Sequence, residues 1–209
     1  IWEVRGEPRH FTSSKVMCWV AVDRGAKLAA DRGDTELAET WRATADEIHA
    51  DICAHGVDGR GVFTQQYGST ALDASVLLVP IMGFLPPSDD RVKATVLAIA
   101  DELTSDGLVL RYRTGETDDG LSGEEGSFTI CSFWLVSALA IIGEHERAHA
   151  LCEKLLSFAS PLHLYAEEIE ASSGRHLGNF PQAFTHLALI DAVTRVIELE
   201  SDGRRESSL

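Results

Sequence analysis

Residues 127–142 read SFTICSFWLVSALAII, and residues 144–159 read EHERAHALCEKLLSFA. The first stretch is apolar at every helical phase. The second keeps Ala148, Leu151, Leu155 and Phe158 on one stripe and charges elsewhere. A helix apolar on all sides must be covered on all sides, whereas a helix with one stripe can sit outside and do the covering. The pair predicts an inner helix followed by an outer one.

The same alternation runs outward in both directions. Residues 13–32, beginning SSKVMCWVAVDRGAKLAA, are apolar on every side through Val22. Residues 34–54 place Leu37, Trp41, Ala45, Ile48 and Ile52 at helical spacing. Residues 71–83, ALDASVLLVPIMG, are again apolar all round. Residues 89–104 carry one stripe, Val92, Val96, Ile99 and Leu103. Residues 181–200 form a seventh helix with Phe184, Leu187 and Ile190 on one face. Trp41 and Trp134 fall within helical stripes and read as core. Helices of alternating character predict an all-α fold of inner and outer helices joined in hairpins, an α/α toroid. A closed ring of such hairpins takes about twelve helices, so the chain reads as the C-terminal portion of a ring over 1–200, with a flexible polar tail over 201–209. The long Gly-rich connectors, 55–70, 105–126 and 160–180, follow the outer helices. They are expected to meet at the end where the inner helices begin, and loops gathered on one face usually carry function.

Composition narrows the partners. The chain has 209 residues, 44% of them hydrophobic and 24% charged, which is globular usage. A formal net charge of −15 disfavours nucleic acid and an anionic membrane and leaves a neutral ligand compatible. Cys18, Cys53, Cys131 and Cys152 lie in apolar helical segments without a CxxC pair, the pattern of buried reduced thiols in a reducing cytoplasm. No apolar run within the 209 residues is long enough to cross a bilayer. Residues 145–149, His-Glu-Arg-Ala-His, satisfy the HExxH zinc pattern. They open an amphipathic outer helix with charged flanks and no third ligand nearby, so a solvated helix face is expected, with no metal and no cofactor.

Functional residue types concentrate in four stretches: IWEVRGEPRHFTSSK (1–15), FTQQYGSTALDAS (63–75), LRYRTGETDDGLSGEEGSF (110–128) and LYAEEIEASSGRHLGNFPQAFTHL (164–187). Each mixes carboxylates, aromatics and Gly with polar or cationic groups. Carboxylates and Arg bond hydroxyls in pairs, aromatic faces stack on sugar rings, and Gly lets backbone approach a ligand. In this order and at these separations the four stretches resemble glycoside hydrolase family 15, its bacterial glucoamylase and trehalase branch above all, over about residues 1–200.

The resemblance implies an (α/α)6 barrel, with an N-terminal β-sandwich and earlier barrel helices upstream in the same enzyme. It implies an inverting, exo-acting α-glucosidase that hydrolyses α-glucosidic bonds and releases glucose. The Glu after Trp, Glu3, corresponds to the acid, and the first Glu of the AEE run, Glu167, to the base. An inverting pair stands about 6.5–9.5 Å apart to admit water. Glu168 would bind a sugar hydroxyl or hold Glu167 in place. Trp2, Arg5, Arg111, Glu124 and Glu125 are the further substrate-binding candidates, and Gln65 and Tyr67 are weaker pocket candidates. Val4 departs from fungal members, which carry a second Glu there. The implied partners are an α-glucan or α-glucoside disaccharide, the N-terminal part of the same enzyme, and a second copy of the chain in a homo-oligomer. The alternative is a noncatalytic helical-ring scaffold that binds at its concave end.

Overall fold

A computed structural model of the chain describes residues 7–113 and 127–206, with side chains through Ser201. Its helices are α1 (Thr12–Asp31), α2 (Thr35–His55), α3 (Leu78–Ile81), α4 (Asp90–Glu102), α5 (Thr129–Ile141), α6 (His145–Leu156) and α7 (Ala183–Glu206). Helix α5 is the hub. Cys131, Phe133, Leu135, Val136, Ala138, Leu139 and Ala140 are all buried, because α3, α4, α6 and α7 pack around it. Helix α6 buries only Ala148, Cys152 and Leu155, as an outer helix with one stripe should. α1, α3, α5 and α7 form the inner row. α2 lies on α1, α4 on the segment around α3 and on α5, and α6 on α5 and α7.

The turns from inner to outer helices are tight. Gly33, Gly83 and Gly143 follow α1, α3 and α5 with φ of +78°, +68° and +85°, the left-handed conformation that ends a helix cheaply only in glycine. Asp34 and Asp89 then cap the outer helices, accepting the backbone N–H groups of Leu37 and Arg91.

The opposite ends of the inner helices share one construction. The N–H of Thr12 donates to Gln65 O at 3.0 Å, that of Ala74 to Arg111 O at 2.8 Å, and that of Thr129 to Glu167 O at 2.9 Å. The residue before each pairs with the residue after each acceptor: Phe11 with Gln66, Asp73 with Tyr112, and Phe128 with Glu168. Each connector thus docks on the start of the inner helix before it. Short strands brace the frame: β1 (Thr104–Ser105) pairs with β2 (Leu108–Val109), and β3 (Ser127–Phe128), β4 (Glu168–Ile169) and β5 (His176–Leu177) form an antiparallel sheet in that order.

Several expectations are revised. The helix expected over 71–83 is a 3-10 turn, Ala74–Leu77, followed by the single turn of α3. Pro80 has no N–H and would clash with the carbonyl four residues back, so a continuous α-helix cannot span this stretch. Helix α1 is not covered on all sides, since Met17 and Cys18 are exposed. Phe184, Leu187 and Ile190 share a face of α7, but that face is open, at 66%, 63% and 63% exposure; the core side is Thr185, Ala188, Ala192 and Val196. Trp41, expected in the core, is 37% exposed and packs on α1, where a Cβ on Gly25 would come within 2.6 Å of its ring. Trp134 is partly buried against the core. Helix α7 continues through residues 201–206, where the polar tail was expected to begin.

Candidate active site

Glu167 is fixed at every polar group of its backbone. Its carbonyl accepts from Thr129, the first residue of α5, and its N–H donates to Asn179 O at 2.9 Å. Its carboxylate is held from one side. Asn179 donates twice to Oε2, from the backbone N–H at 3.2 Å and from Nδ2 at 2.9 Å. Gly178, with φ +72°, closes over the same oxygen, and a Cβ there would stand 2.8 Å from Oε2 and 3.1 Å from Glu167 Cβ. The side chain is half-exposed at the rim. A carboxylate fixed on a rigid frame and open to solvent on one edge can accept a proton from water, the geometric requirement of a general base.

Arg111 and Glu168 belong to the same rim. The Arg111 guanidinium lies 4.3 Å from the Phe128 ring centroid and 5.0 Å from that of Tyr112, a cation–π arrangement that holds its plane. Phe128 is the cross-strand partner of Glu168. The structure therefore gathers Arg111, Glu167 and Glu168 around the start of α5. Glu3, Trp2 and Arg5, and Glu124 and Glu125, lie outside the described residues.

The weaker candidates have structural work. Gln65 is buried, and its Nε2 donates to Asp73 Oδ2 at 3.0 Å. The Tyr67 hydroxyl donates to Asp51 Oδ2 of α2 at 2.8 Å, beside Lys15 Nζ at 3.1 Å. Burial and Asp51 together push the Tyr67 hydroxyl well up, and the bonds from Tyr67 and Lys15 hold the Asp51 carboxyl below its usual range. Neither group is left to act as an acid or base near neutrality.

Asn179 was missed from sequence. It stands in the quoted stretch GNFPQAF, but an Asn after a Gly reads as turn chemistry, and Glu168 was the expected support for Glu167. The HExxH pattern is a solvated face. His145, Glu146 and His149 are exposed, His149 pairs with Glu200 of α7 at 3.2 Å, and no group of three or more metal-ligating side chains assembles among the described residues. The four cysteines are free, but only Cys131 and Cys152 are buried; Cys53 is partly buried and Cys18, expected in the core, is exposed on α1. Burial pushes the Cys131 thiol well up, and Cys152 and Cys53 also up, the state of inert core thiols. No helix among the described residues is long and apolar enough to cross a membrane.

Comparison with known proteins gives the family and the fold. The family model for glycosyl hydrolases family 15 matches residues 1–194. A trehalase of Mycobacterium tuberculosis is 76% identical over 203 residues, 97% of this chain and 30% of that protein. A trehalase of Thermoplasma acidophilum is 42% identical over 200 residues, 95% of this chain and 34% of that protein. The chain thus spans about a third of the length of these relatives. Among solved structures, a glycosidase variant superposes with a TM-score of 0.79 at 21% identity, over 94% of this chain and 54% of that one. A bacterial glucoamylase complexed with acarbose gives 0.76 at 14% identity, over 90% and 33%. The latter likenesses show the fold, an α/α barrel of which the inner and outer rows described above are an arc. On the family match over residues 1–194, the chain belongs to glycosyl hydrolases family 15.

Proposed function

We propose that the protein containing this chain is an inverting, exo-acting α-glucosidase that hydrolyses trehalose. The observation that carries the chemistry is the one-sided hold on Glu167, which leaves its Oε1 without a partner among the described residues. In this reading Glu167 takes a proton from water at Oε1, and the water oxygen bonds to the anomeric carbon. The glucosidic bond breaks on the opposite face, and its oxygen takes the proton of Glu3. No metal or organic cofactor enters these steps. Arg111, held over Phe128, binds hydroxyls of the departing glucose. Glu168, Trp2, Arg5, Glu124 and Glu125 complete the sugar contacts. The trehalase relatives favour trehalose over an α-glucan. Four free cysteines support a reducing cytoplasm as the site of action. The open apolar face of α7 supports contact with the remainder of the same enzyme or with a second copy.

Turnover and binding by full-length Glu3→Gln and Glu167→Gln separate this reading from a noncatalytic scaffold. Each substitution is expected to lower kcat on trehalose by roughly 100-fold or more while sugar binding by calorimetry stays within a few-fold. Undiminished turnover in either variant contradicts the assignment of that residue.

A further inference from the structure

We propose that Asn179 is the positioning residue of Glu167, and that its hold on one carboxylate oxygen decides which oxygen receives the proton from water. The inference rests on the reading of Glu167 as the base and deepens it. A carboxylate oxygen offers two in-plane lone pairs. Both lone pairs of Oε2 are taken by Asn179, one by the backbone N–H at 3.2 Å and one by Nδ2 at 2.9 Å. Oε1 receives no bond from a described residue. A Cβ at Gly178 would stand 2.8 Å from Oε2, so only glycine leaves room for the held oxygen, and whichever oxygen fills the cradle, the other faces out. The backbone bond from Glu167 N–H to Asn179 O at 2.9 Å locks the two residues in register. The hold therefore moves with the base and not with the outer scaffold.

A base that loses its side-chain donor keeps its place in the chain but no longer has its carboxylate plane fixed. The test is the split of kcat and KM for trehalose hydrolysis by the full-length protein carrying Asn179→Ala, Asn179→Asp or Asn179→Ser. Asn179→Ala is expected to lower kcat roughly tenfold and to leave KM within about twofold. Asn179→Asp keeps the side-chain shape but sets a second carboxylate against Oε2, so its kcat falls further. Asn179→Ser, which restores a donor at shorter reach, recovers part of the loss. Values of kcat that superimpose on that of the wild type in all three variants overturn the proposal. So does a rise in KM that accounts for the whole loss, the mark of a lost sugar contact. Glu167→Ala measured alongside distinguishes the two levels. If it retains turnover, the base assignment itself has failed. If it is inactive while the Asn179 variants behave as wild type, only the positioning role has failed.

Discussion

The Gln65–Gln66 segment and the Glu167–Glu168 segment are built on the same backbone plan and carry different chemistry. Each accepts the first N–H of an inner helix and pairs its next residue with the Phe that precedes that helix. In the first segment the side chain is an amide, buried, donating to Asp73. In the second it is a carboxylate, half-exposed and held on one oxygen by Asn179. The frame decides where a side chain stands; the residue placed there, and the loop that folds back on it, decide what it can do. Arg111 occupies the third such position and turns a cation over Phe128.

The glycines after the two segments give the sharpest way to break this contrast. Gly68 and Gly178 both have φ +72°, but a Cβ on Gly68 meets nothing within 4 Å, whereas one on Gly178 strikes the Glu167 carboxylate at 2.8 Å. Alanine at either position is expected to cost about 1–2 kcal/mol of stability from the left-handed backbone alone. Gly178→Ala is expected to lower kcat further, by roughly 100-fold, because a displaced base loses its line to the water. Paired denaturation and steady-state kinetics decide it. Equal kinetic losses in the two variants would remove the distinction between frame and site.

Next in size is a frame element with no part in chemistry. Asp23 of α1 is buried and receives bonds from Lys27 at 2.8 Å and Arg42 of α2 at 2.7 Å, and from Arg24. Burial alone would raise its carboxyl, but these three cations outweigh it and bring the pKa down to about 2. A carboxyl depressed on folding stabilises above its unfolded pKa. The contribution is therefore full near neutrality and is lost as pH falls from about 5 toward 2, amounting to about 2 kcal/mol. Asn at this position is expected to cost about that much at pH 7 and little at pH 2, read from urea melts at the two pH values.

A smaller effect is expected at the amide half of the comparison. Gln65→Ala removes a buried donor from Asp73 and is expected to cost about 1–2 kcal/mol, measured as a fall in the denaturation midpoint. The smallest belongs to the HExxH decoy. His149 and Glu200 are 51% and 41% exposed, and His149→Ala is expected to change stability by less than about 0.5 kcal/mol.

The alternation of apolar and striped helices was legible because periodicity is a local property, and α5 and α6 bear it out closely. The helix expected over 71–83 was not, because the break depends on Pro80 inside a stretch whose hydropathy alone reads as helical. The two faces of α7 could not be ranked: Phe184, Leu187 and Ile190 are larger than Ala188 and Ala192, yet the small residues face α5, where close packing excludes bulk. Glu167 was legible through its motif. Asn179 was not, since a hydrogen bond between residues twelve apart follows from the turn over Gly174 and the pairing of β4 with β5, which no local pattern states.

The account stands on Glu167 activating water directly instead of bonding to the sugar itself. Proton NMR of the first glucose released from trehalose by the full-length protein, recorded before mutarotation, reads this without ambiguity. One β-glucose per α-bond cleaved, alongside the α-glucose that leaves, is expected. Release of α-glucose alone would mean retention and would contradict the role assigned to Glu167.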